Sequence, residues 1–419
     1  MKTVAFAVVG VRNFAQSHIR TIKKLEEEGI GRLQAVVVRD QEGRQDGSAQ
    51  LLQELEEQGV VLFDSYEQLL QEGQGLVDLI TLPVAVHTHY DLAKQGMEAG
   101  YSLVLEKPPV PTVQQVDDLI CLEQQTGQFC SVGFQMIHSP SLRKLKEEVC
   151  AGRLGELKEI TCRGYWPRDR AYYSRNGWAG RAVVDGMLVL DGPIHNALAH
   201  YLNNMIFMSG PALDTSADLR WIRAELYRSR PFITSDDTSC LEAETTAGTR
   251  LYFYVTHSPR SQFDPVMEVV GTKGTATWNY EGECEIETQD GTERFDNGGV
   301  DPWFEVMRVS AKVRRGGLAR PYSTLANSRS FVVAINGAYD SARYIRPIPQ
   351  EFVESTLSGP KECAVVKDID ELLDQACAHR KLLSDLGVPW AVSTPRIDLQ
   401  DYKEFSPFSQ PRTFVELGG

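Results

Sequence analysis

At 419 residues the chain is too long for one ordinary core, and its 42% hydrophobic and 24% charged content is that of a folded protein. The formal net charge of −14 argues against nucleic acid or a membrane surface as the main partner, and no apolar run approaches the roughly 20 residues of a membrane helix. Eight singly placed cysteines and the lack of a histidine-rich ligand motif predict a soluble cytoplasmic protein with reduced thiols and no metal.

The first third of the chain alternates short apolar runs with helical stretches, a pattern typical of a parallel α/β sheet. Strands are predicted at Val4–Val9, 33–38, 60–63, 76–82, 103–106 and 130–134, and helices at 14–28, 51–57, 66–71, 87–99 and 112–125. Strands joined by helical crossovers in this way predict a doubly wound Rossmann domain over residues 1–134.

Beyond about residue 135, strands follow one another without helices between them, which predicts an α+β domain with a large, mainly antiparallel open sheet. The predicted strands are 157–165, 219–227, 239–245, 249–256, 266–270 and 275–279, and the predicted helices are 141–151, 191–208 and 368–386. We expect this substrate and oligomerisation domain to span residues 135–390, followed by a C-terminal tail at 391–419.

The turn after the first strand is a degenerate form of the dinucleotide-binding fingerprint G-x-G-x-x-G/A. Gly10 makes the tight turn and Ala15 lets strand and helix pack closely, but Arg12 occupies the position of the second glycine. The helix N-terminus at Asn13 and Phe14 still offers N–H groups and partial positive charge to a phosphate. These five residues are therefore predicted to bind a cofactor, and an ordinary loop is the alternative.

The end of the second strand leaves the form of the dinucleotide open. An acidic side chain normally binds the adenine ribose there, but this chain has Arg39 followed by Asp40. Arg39 suits a 2′-phosphate, whereas Asp40 is displaced by one or two residues from the usual place. Both NAD and NADP therefore remain candidates.

Glu106, Lys107 and Pro108 follow the fifth predicted strand, and the carboxyl ends of strands in such a sheet border the ligand crevice. Lys107 is therefore expected to project into a site, and Pro108 keeps it out of helical geometry. Glu106 has a cation or Lys107 itself as its candidate partner. A loop charge pair without a catalytic role is the alternative.

Asp191 and His195 are four residues apart, so on a helix they would share one face within hydrogen-bonding reach. A carboxylate beside an imidazole fixes its tautomer and raises its basicity, as a general base requires. The alternative is that Asp191 caps a helix with Pro193 in its first turn, and that His195 is a core residue.

In this order and spacing, the motifs resemble the glucose–fructose oxidoreductase/inositol dehydrogenase (Gfo/Idh/MocA) family over roughly residues 4–390. The marks are the 10–15 turn with His18, Pro83 with His87, Ala99-Gly100, Glu106-Lys107-Pro108, Val132-Gly133-Phe134-Gln135, Gly152-Arg153-Leu154-Gly155, Asp191 with His195, and Gly271-Thr272-Lys273-Gly274. Pro193 and Leu198 depart from the family pattern, which usually has glycine and often an acidic residue at these two positions.

The resemblance implies an NAD(P)-dependent dehydrogenase acting on CH–OH groups, with Pro83, His87 and Glu106 among its cofactor-binding residues. It implies that His195 takes the hydroxyl proton while Asp191 orients it. Lys107 binds cofactor and hydrogen-bonds the reacting oxygen. It also implies a homo-oligomer, a dimer or a tetramer, in which another subunit covers the open face of the second sheet.

Residues 166–181 are dense in aromatic and arginine side chains, which stack on sugar rings and bind hydroxyls or carboxylates. Tyr173, Arg175 and Trp178 are therefore predicted to bind a small-molecule carbohydrate, and an aromatic hinge packed on the core is the alternative. A dehydrogenase acting on a sugar, sugar acid or polyol is favoured. An NAD-dependent glycoside hydrolase using transient oxidation and elimination, and a non-catalytic nucleotide or sugar sensor, remain open.

Overall fold

The computed structural model describes residues 3–38 and 49–406, which divide into two compact units. The first unit contains Met1–Val110, Gln115–His138 and Val300–Ser328, and the second contains the remaining segments. The sequence-based boundaries placed Val300–Ser328 in the second domain, because helical segments distant along the chain leave no local sign of the unit they join.

The first unit is built around a parallel sheet in the strand order β3-β2-β1-β4-β5-β6, which confirms the predicted Rossmann topology. Its elements are β1 (Val4–Val9), α1 (Phe14–Glu27), β2 (Gly31–Val37), α2 (Ala49–Glu57), β3 (Val61–Phe63), α3 (Tyr66–Glu72), β4 (Leu79–Leu82), a 3-10 turn (Val86–Thr88), α4 (His89–Glu98), β5 (Ser102–Leu105), α5 (Val113–Thr126) and β6 (Cys130–Val132).

Burial explains why the strands of the parallel sheet consist of unbroken apolar runs in the sequence. Every residue of β1 is buried, as expected for a central parallel strand with both faces covered. On α1, Ala15, Ile19, Ile22 and Leu25 are buried at helical spacing, so one stripe of the helix packs inward. The spacing of apolar residues along the sequence therefore indicates both whether a segment is a strand or a helix and which of its sides is buried.

The second unit begins after a 3-10 turn at Gln135–His138. The elements that follow along the chain, of which α9 belongs to the first unit, are α6 (Pro140–Cys150), β7 (Leu157–Tyr165), α7 (Arg170–Tyr173), β8 (Val183–Val184), β9 (Met187–Leu188), a π-helix (Pro193–Ala197), α8 (Ala199–Met208), β10 (Leu219–Arg228), β11 (Thr238–Thr245), β12 (Arg250–Thr256), β13 (Phe263–Gly271), β14 (Gly274–Asn279), β15 (Cys284–Thr288), β16 (Gly291–Phe295), α9 (Pro302–Arg314), α10 (Leu325–Ala342), β17 (Arg346–Pro347), β18 (Val353–Thr356), β19 (Cys363–Val366), α11 (Ile369–His379) and β20 (Ile397–Asp398).

A large sheet in the order β16-β15-β14-β13-β7-β12-β11-β10-β17 organises the second unit, and β20 pairs with β10. Its neighbours are antiparallel except for the pairs β7–β12 and β10–β17, which confirms the predicted, mainly antiparallel sheet. Part of one face is covered by this chain itself, because α11 and the apolar residues from Leu382 to Trp390 pack on tyrosines of the sheet.

Several elements differ from the sequence-based expectation. The helix predicted at 191–208 begins only at Pro193, which lacks an N–H, and its first turn is a π-helix. The helix predicted at 368–386 ends at His379, where Arg380 takes a left-handed conformation with φ 56°. The strands β15 and β16 and the helices α9 and α10 were not predicted; β16 is largely polar and shows no apolar alternation.

The helix α9 belongs to the first unit. Trp303 on this helix packs against Phe14 of α1 with ring centroids 5.2 Å apart, and Arg308 pairs with Glu28 at 2.7 Å. Nowhere in residues 3–38 and 49–406 is a helix both long and apolar enough to cross a membrane. The same residues contain no group of three or more His, Cys, Asp or Glu side chains placed to hold a metal ion.

Candidate functional site

Three of the predicted cofactor residues stand at neighbouring strand ends in the first unit. Gly10, Pro83 and Glu106 are the first residues beyond β1, β4 and β5, which lie side by side in the sheet. Because the strands are parallel, these three residues share the carboxyl edge of the sheet. The topology therefore brings together motifs that are up to 96 positions apart in the sequence.

The turn from β1 to α1 has a backbone that few side chains adopt. Gly10 has φ 108°, and its N–H donates to the Val37 carbonyl at 3.0 Å. Asn13 has φ 51° and ψ −120°. Its side chain makes no capping hydrogen bond to the N-terminus of α1. Such outliers cost about 1–3 kcal/mol and concentrate at ligand sites. Arg12 is half-buried here and Phe14 is at the surface.

Glu106 is a buried carboxylate that joins the turn helix to the catalytic lysine candidate. Its Oε1 accepts from His18 Nε2 at 3.1 Å, and its Oε2 accepts from the Lys107 backbone N–H at 3.2 Å. Gly133 makes the room, since a Cβ there would lie 2.8 Å from Oε1. The partners of Glu106 are thus a histidine and the backbone of Lys107, a more specific arrangement than the charge pair expected from the sequence.

His89, which the sequence did not single out, links the chain after β4 to the chain after β5. Its Nδ1 lies 2.9 Å from the Pro108 carbonyl oxygen, and its Nε2 lies 3.1 Å from the Val84 carbonyl oxygen. Burial lowers the pKa of His89, while its contacts with the Val84 and Pro108 carbonyls act in the opposite direction. His87, the residue named from the sequence, lies two positions earlier on the 3-10 turn and is partly buried.

In the second unit, Asp191 precedes the helix and is a buried carboxylate at a tight turn. Its Oδ2 accepts from the Gly180 N–H at 2.7 Å, and its Oδ1 accepts from Asn196 Nδ2 at 2.5 Å. Arg175 approaches Oδ2 at 3.6 Å. The helical spacing from which Asp191 was expected to face His195 therefore does not apply, because the helix starts after Gly192.

His195 is 1% exposed and lies in the π-helix, stacked on Phe331 with ring centroids 6.2 Å apart. Its Nδ1 lies 3.1 Å from the Val189 carbonyl oxygen. A carbonyl can only accept, so in the neutral ring Nδ1 carries the proton and Nε2 carries the lone pair. The hydrogen bond that fixes the tautomer thus comes from a backbone carbonyl.

A second buried carboxylate, Asp236, lies behind the Asp191 turn. It accepts from Ser239 Oγ at 2.5 Å and from Tyr339 Oη at 2.9 Å, and burial raises its pKa from 3.8 to about 6. A Cβ on Gly192 would overlap this carboxylate, so only glycine fits between the two aspartates. The sequence offered no sign of this contact, because 44 positions separate Gly192 from Asp236.

The aromatic loop at 166–181 is partly buried and partly exposed. Tyr173 is 7% exposed and packs edge-on to Tyr172 at 5.1 Å, whereas Trp178 and Arg175 reach solvent. The Arg175 guanidinium lies 3.7 Å from the Tyr172 ring centroid and 5.2 Å from that of Trp178. The loop therefore places Arg175 beside Asp191, with the Trp178 ring next to Arg175. Arg39 and Asp40 lie outside the described residues.

Comparison with known proteins identifies the family. Residues 4–134 match the model described as an oxidoreductase family with an NAD-binding Rossmann fold, and residues 142–277 match the GFO/IDH/MocA C-terminal domain. The chain is 28% identical over 149 residues to the uncharacterized oxidoreductase YdgJ of Escherichia coli, covering 35% of this chain and 40% of that protein. It is 28% identical over 120 residues to inositol 2-dehydrogenase of Corynebacterium glutamicum, covering 28% and 33%.

Among solved structures, the WlbA dehydrogenase of Bordetella pertussis, in complex with NADH and UDP-GlcNAcA, superposes with a TM-score of 0.65 at 20% identity. That similarity covers 81% of this chain and 97% of the other, and it shows a shared fold. The aligned segments of the two curated relatives span only about two-fifths and one-third of their lengths. The two family models together cover more than half of the chain, which confirms the resemblance: the chain belongs to the Gfo/Idh/MocA family of oxidoreductases, and residues 4–134 form its NAD-binding Rossmann domain.

Proposed function

We propose that the chain is an NAD(P)-dependent dehydrogenase that moves a hydride between nicotinamide and a hydroxyl or keto carbon of a sugar, sugar acid or polyol. The observation that carries this proposal is the His195 imidazole, whose Nδ1 is held by the Val189 carbonyl so that Nε2 has the lone pair of a base. This substrate class is supported by one relative named inositol 2-dehydrogenase and by a solved structure of similar fold in complex with UDP-GlcNAcA. Cytoplasmic location and assembly into a dimer or tetramer stay predictions of the sequence.

The first unit fits a dinucleotide. The uncapped N-terminus of α1 and the unusual backbone of Asn13 suit a pyrophosphate. Gly10, Arg12, Phe14 and Ala15 complete the turn that would hold it. Pro83, His87, Glu106 and Lys107 would border the nicotinamide end. When bound, the cofactor supplies a hydride acceptor or donor at C4 of its nicotinamide ring.

The chain's own residues would then manage the proton and the charge. His195 Nε2 takes the proton of the reacting hydroxyl, because its tautomer leaves that nitrogen as the acceptor. The role of Lys107, as the family resemblance implies it, is to donate a hydrogen bond that stabilises negative charge developing on the substrate oxygen. Asp191 favours the protonated imidazole by its charge, while Asn196 and the Gly180 N–H hold its carboxylate in place.

Arg175 and Trp178 are proposed to bind the carbohydrate, and Tyr173 is proposed to support the loop that carries them. Arg175 and Trp178 reach solvent beside Asp191, where a ring could stack on the indole while its hydroxyls meet the guanidinium. Tyr173 is buried, so we expect it to hold the loop in place through its ring contact with Tyr172.

The first test is a fluorescence titration of the purified protein with NADH and, separately, NADPH, followed by a screen of sugars and polyols for absorbance change at the nicotinamide band. We expect saturable binding and net reduction of the oxidised cofactor. Absence of binding to both dinucleotides would refute the dehydrogenase. Release of nitrophenol from an aryl glycoside without net nicotinamide reduction would instead identify the redox-assisted glycoside hydrolase.

The same titration addresses cofactor choice. In Arg39→Ala we expect weaker binding of NADPH with little change for NADH, since only NADPH carries the 2′-phosphate that suits a guanidinium. An equal effect on both dinucleotides would remove Arg39 as a phosphate partner.

A further inference from the structure

Arg168 stands out in the aromatic loop as a guanidinium that pairs with no carboxylate in the described part of the chain. Its central carbon lies 5.4 Å from the ring centroid of Trp166 and 4.7 Å from that of Tyr172. Its Nε is buried and makes no hydrogen bond to any residue of 3–38 or 49–406. An N–H donor shielded from water in this way is costly unless a ligand or partner accepts from it, although the residue as a whole is only half-buried.

The carboxylates of the neighbourhood are engaged elsewhere. Asp169, the next residue, accepts from the Tyr172 N–H at 2.8 Å and caps α7. Asp264 accepts from the Trp166 indole N–H at 2.8 Å. Arg170, two positions from Arg168, has its own partner in Glu362 at 3.1 Å. Arg168 thus differs from Arg170 in pairing with no acid of the residues that the structure describes.

Further cations surround the same rings. Arg175 lies over Tyr172 at 3.7 Å, so two guanidinium groups share one aromatic ring. Arg230 lies over Tyr173 at 4.9 Å, but its charge is balanced by Asp237 at 2.9 Å. Burial holds the pKa of His257 well below its usual range, and Arg168, Arg230 and Arg175 lower it further by repulsion. Arg175 and Arg230 have acids beside them, Asp191 at 3.6 Å and Asp237 at 2.9 Å, so Arg168 is the member of this group that pairs with no acid of residues 3–38 and 49–406.

We propose that Arg168, with Arg175 beside it, binds an anionic substituent, a carboxylate or a phosphate monoester, on the carbohydrate substrate. This inference rests on the proposed function and narrows its substrate class from sugars in general to acidic sugars. The guanidinium matches a carboxylate or phosphate with two parallel N–H donors, and the rings of Trp166 and Tyr172 fix its plane. The negative group would supply the counter-charge that no described residue gives to Arg168.

The test compares matched sugars that differ only in charge. Glucose and galactose are set against glucuronate and galacturonate for the carboxylate, and against glucose 6-phosphate and galactose 6-phosphate for the phosphate, with NAD⁺ or NADP⁺ as oxidant. We expect one anionic series to show a KM at least about 10-fold below that of its neutral parent, the scale of a charged hydrogen bond. The series that responds identifies which anion the site takes.

Variants assign the effect to Arg168. Arg168→Gln should raise KM for the preferred acidic sugar about 10- to 100-fold, with NADH affinity unchanged and with little effect on neutral sugars. Arg168→Lys should reverse part of this rise in KM, because lysine keeps the positive charge but lacks the two parallel N–H donors of the guanidinium. Arg170→Gln is the matched control: it removes an arginine two positions away that already pairs with Glu362, and its KM should equal that of the wild type.

A binding assay keeps this inference distinct from the proposed dehydrogenase. Glucuronate, galacturonate and the two sugar phosphates are titrated against the tryptophan fluorescence of wild type and Arg168→Gln. If no sugar is oxidised, yet an acidic sugar binds wild type and not the variant, the dehydrogenase fails and the anion site stands. If neutral sugars are oxidised as efficiently as acidic ones, or no acidic sugar binds, the anion site is refuted whatever the fate of the dehydrogenase.

Discussion

The candidate residues of the two units are held in place by different means. In the first unit, Gly10, Pro83 and Glu106 follow regular strands, so the parallel sheet itself sets where they stand. In the second unit, Asp191 and His195 lie on irregular backbone between β9 and α8, where Leu190 has φ 54°. A regular sheet tolerates substitution near its strand ends, whereas the irregular segment depends on specific buried polar contacts.

The largest expected effect concerns the residues proposed to act on the substrate. His195→Ala and Lys107→Ala should each lower kcat by about 10²- to 10⁴-fold, the usual contribution of a general base or a charge stabiliser. NADH affinity, measured by fluorescence titration, should stay within about twofold because neither change removes a phosphate contact.

The control for His195→Ala is His379→Ala, which alters an exposed histidine at the end of α11 and should leave kcat unchanged. Near-normal turnover in His195→Ala or in Lys107→Ala would remove that residue from the mechanism.

The next effect tests the irregular segment. Gly192→Ala would drive a methyl group into the buried Asp236 carboxylate, and we expect a loss of about 3 kcal/mol or more in the free energy of unfolding. Gly177→Ala, in the nearby loop, would place its methyl group in open space with no atom within 4 Å, and should change stability by less than about 1 kcal/mol. Denaturant unfolding of both variants measures the difference between their free energies of unfolding. Equal values would show that the turn at Gly192 can shift to accommodate the methyl group.

A pH effect is expected from Asp236. Its pKa rises from 3.8 to about 6 on folding because burial disfavours the charged form, so the folded state binds the proton more tightly. Its stabilising contribution is therefore complete below about pH 4 and is lost as pH rises through about 6. Unfolding free energies of wild type and Asp236→Asn, measured from pH 4 to 8, should diverge by about 3 kcal/mol in favour of the variant at high pH. A pH-independent difference would contradict the raised pKa.

The smallest effect is expected in the first unit. In Gly133→Ala the new methyl group meets Glu106 Oε1 at 2.8 Å, at the end of a side chain that can shift, so we expect a loss of only about 1–2 kcal/mol. The shift should weaken the His18–Glu106 contact and hence NADH binding. If Gly133→Ala lowers the free energy of unfolding as much as Gly192→Ala does, the contrast between the strand ends of the first unit and the irregular segment between β9 and α8 is wrong.

Much of the first unit could be predicted because its signals are local. The apolar runs of β1 to β6 and the helical period of α1 are set by neighbours in the sequence, and parallel topology then places the strand ends together. The helix predicted at 191–208 began too early, because Pro193 opens the helical segment and Gly192 before it packs against Asp236, a residue 44 positions away in the sequence.

The sequence by itself determined the family, the Rossmann topology, the mainly antiparallel second sheet and the identity of the candidate motifs. Only the tertiary structure decided the partners: that Glu106 meets His18, that His195 is held by the Val189 carbonyl, that Gly192 lies against Asp236, and that the buried Nε of Arg168 has no hydrogen-bond partner among the described residues. The reason is physical. Periodicity records which side of an element is buried, but hydrogen bonds and ion pairs depend on groups that meet only when distant segments pack.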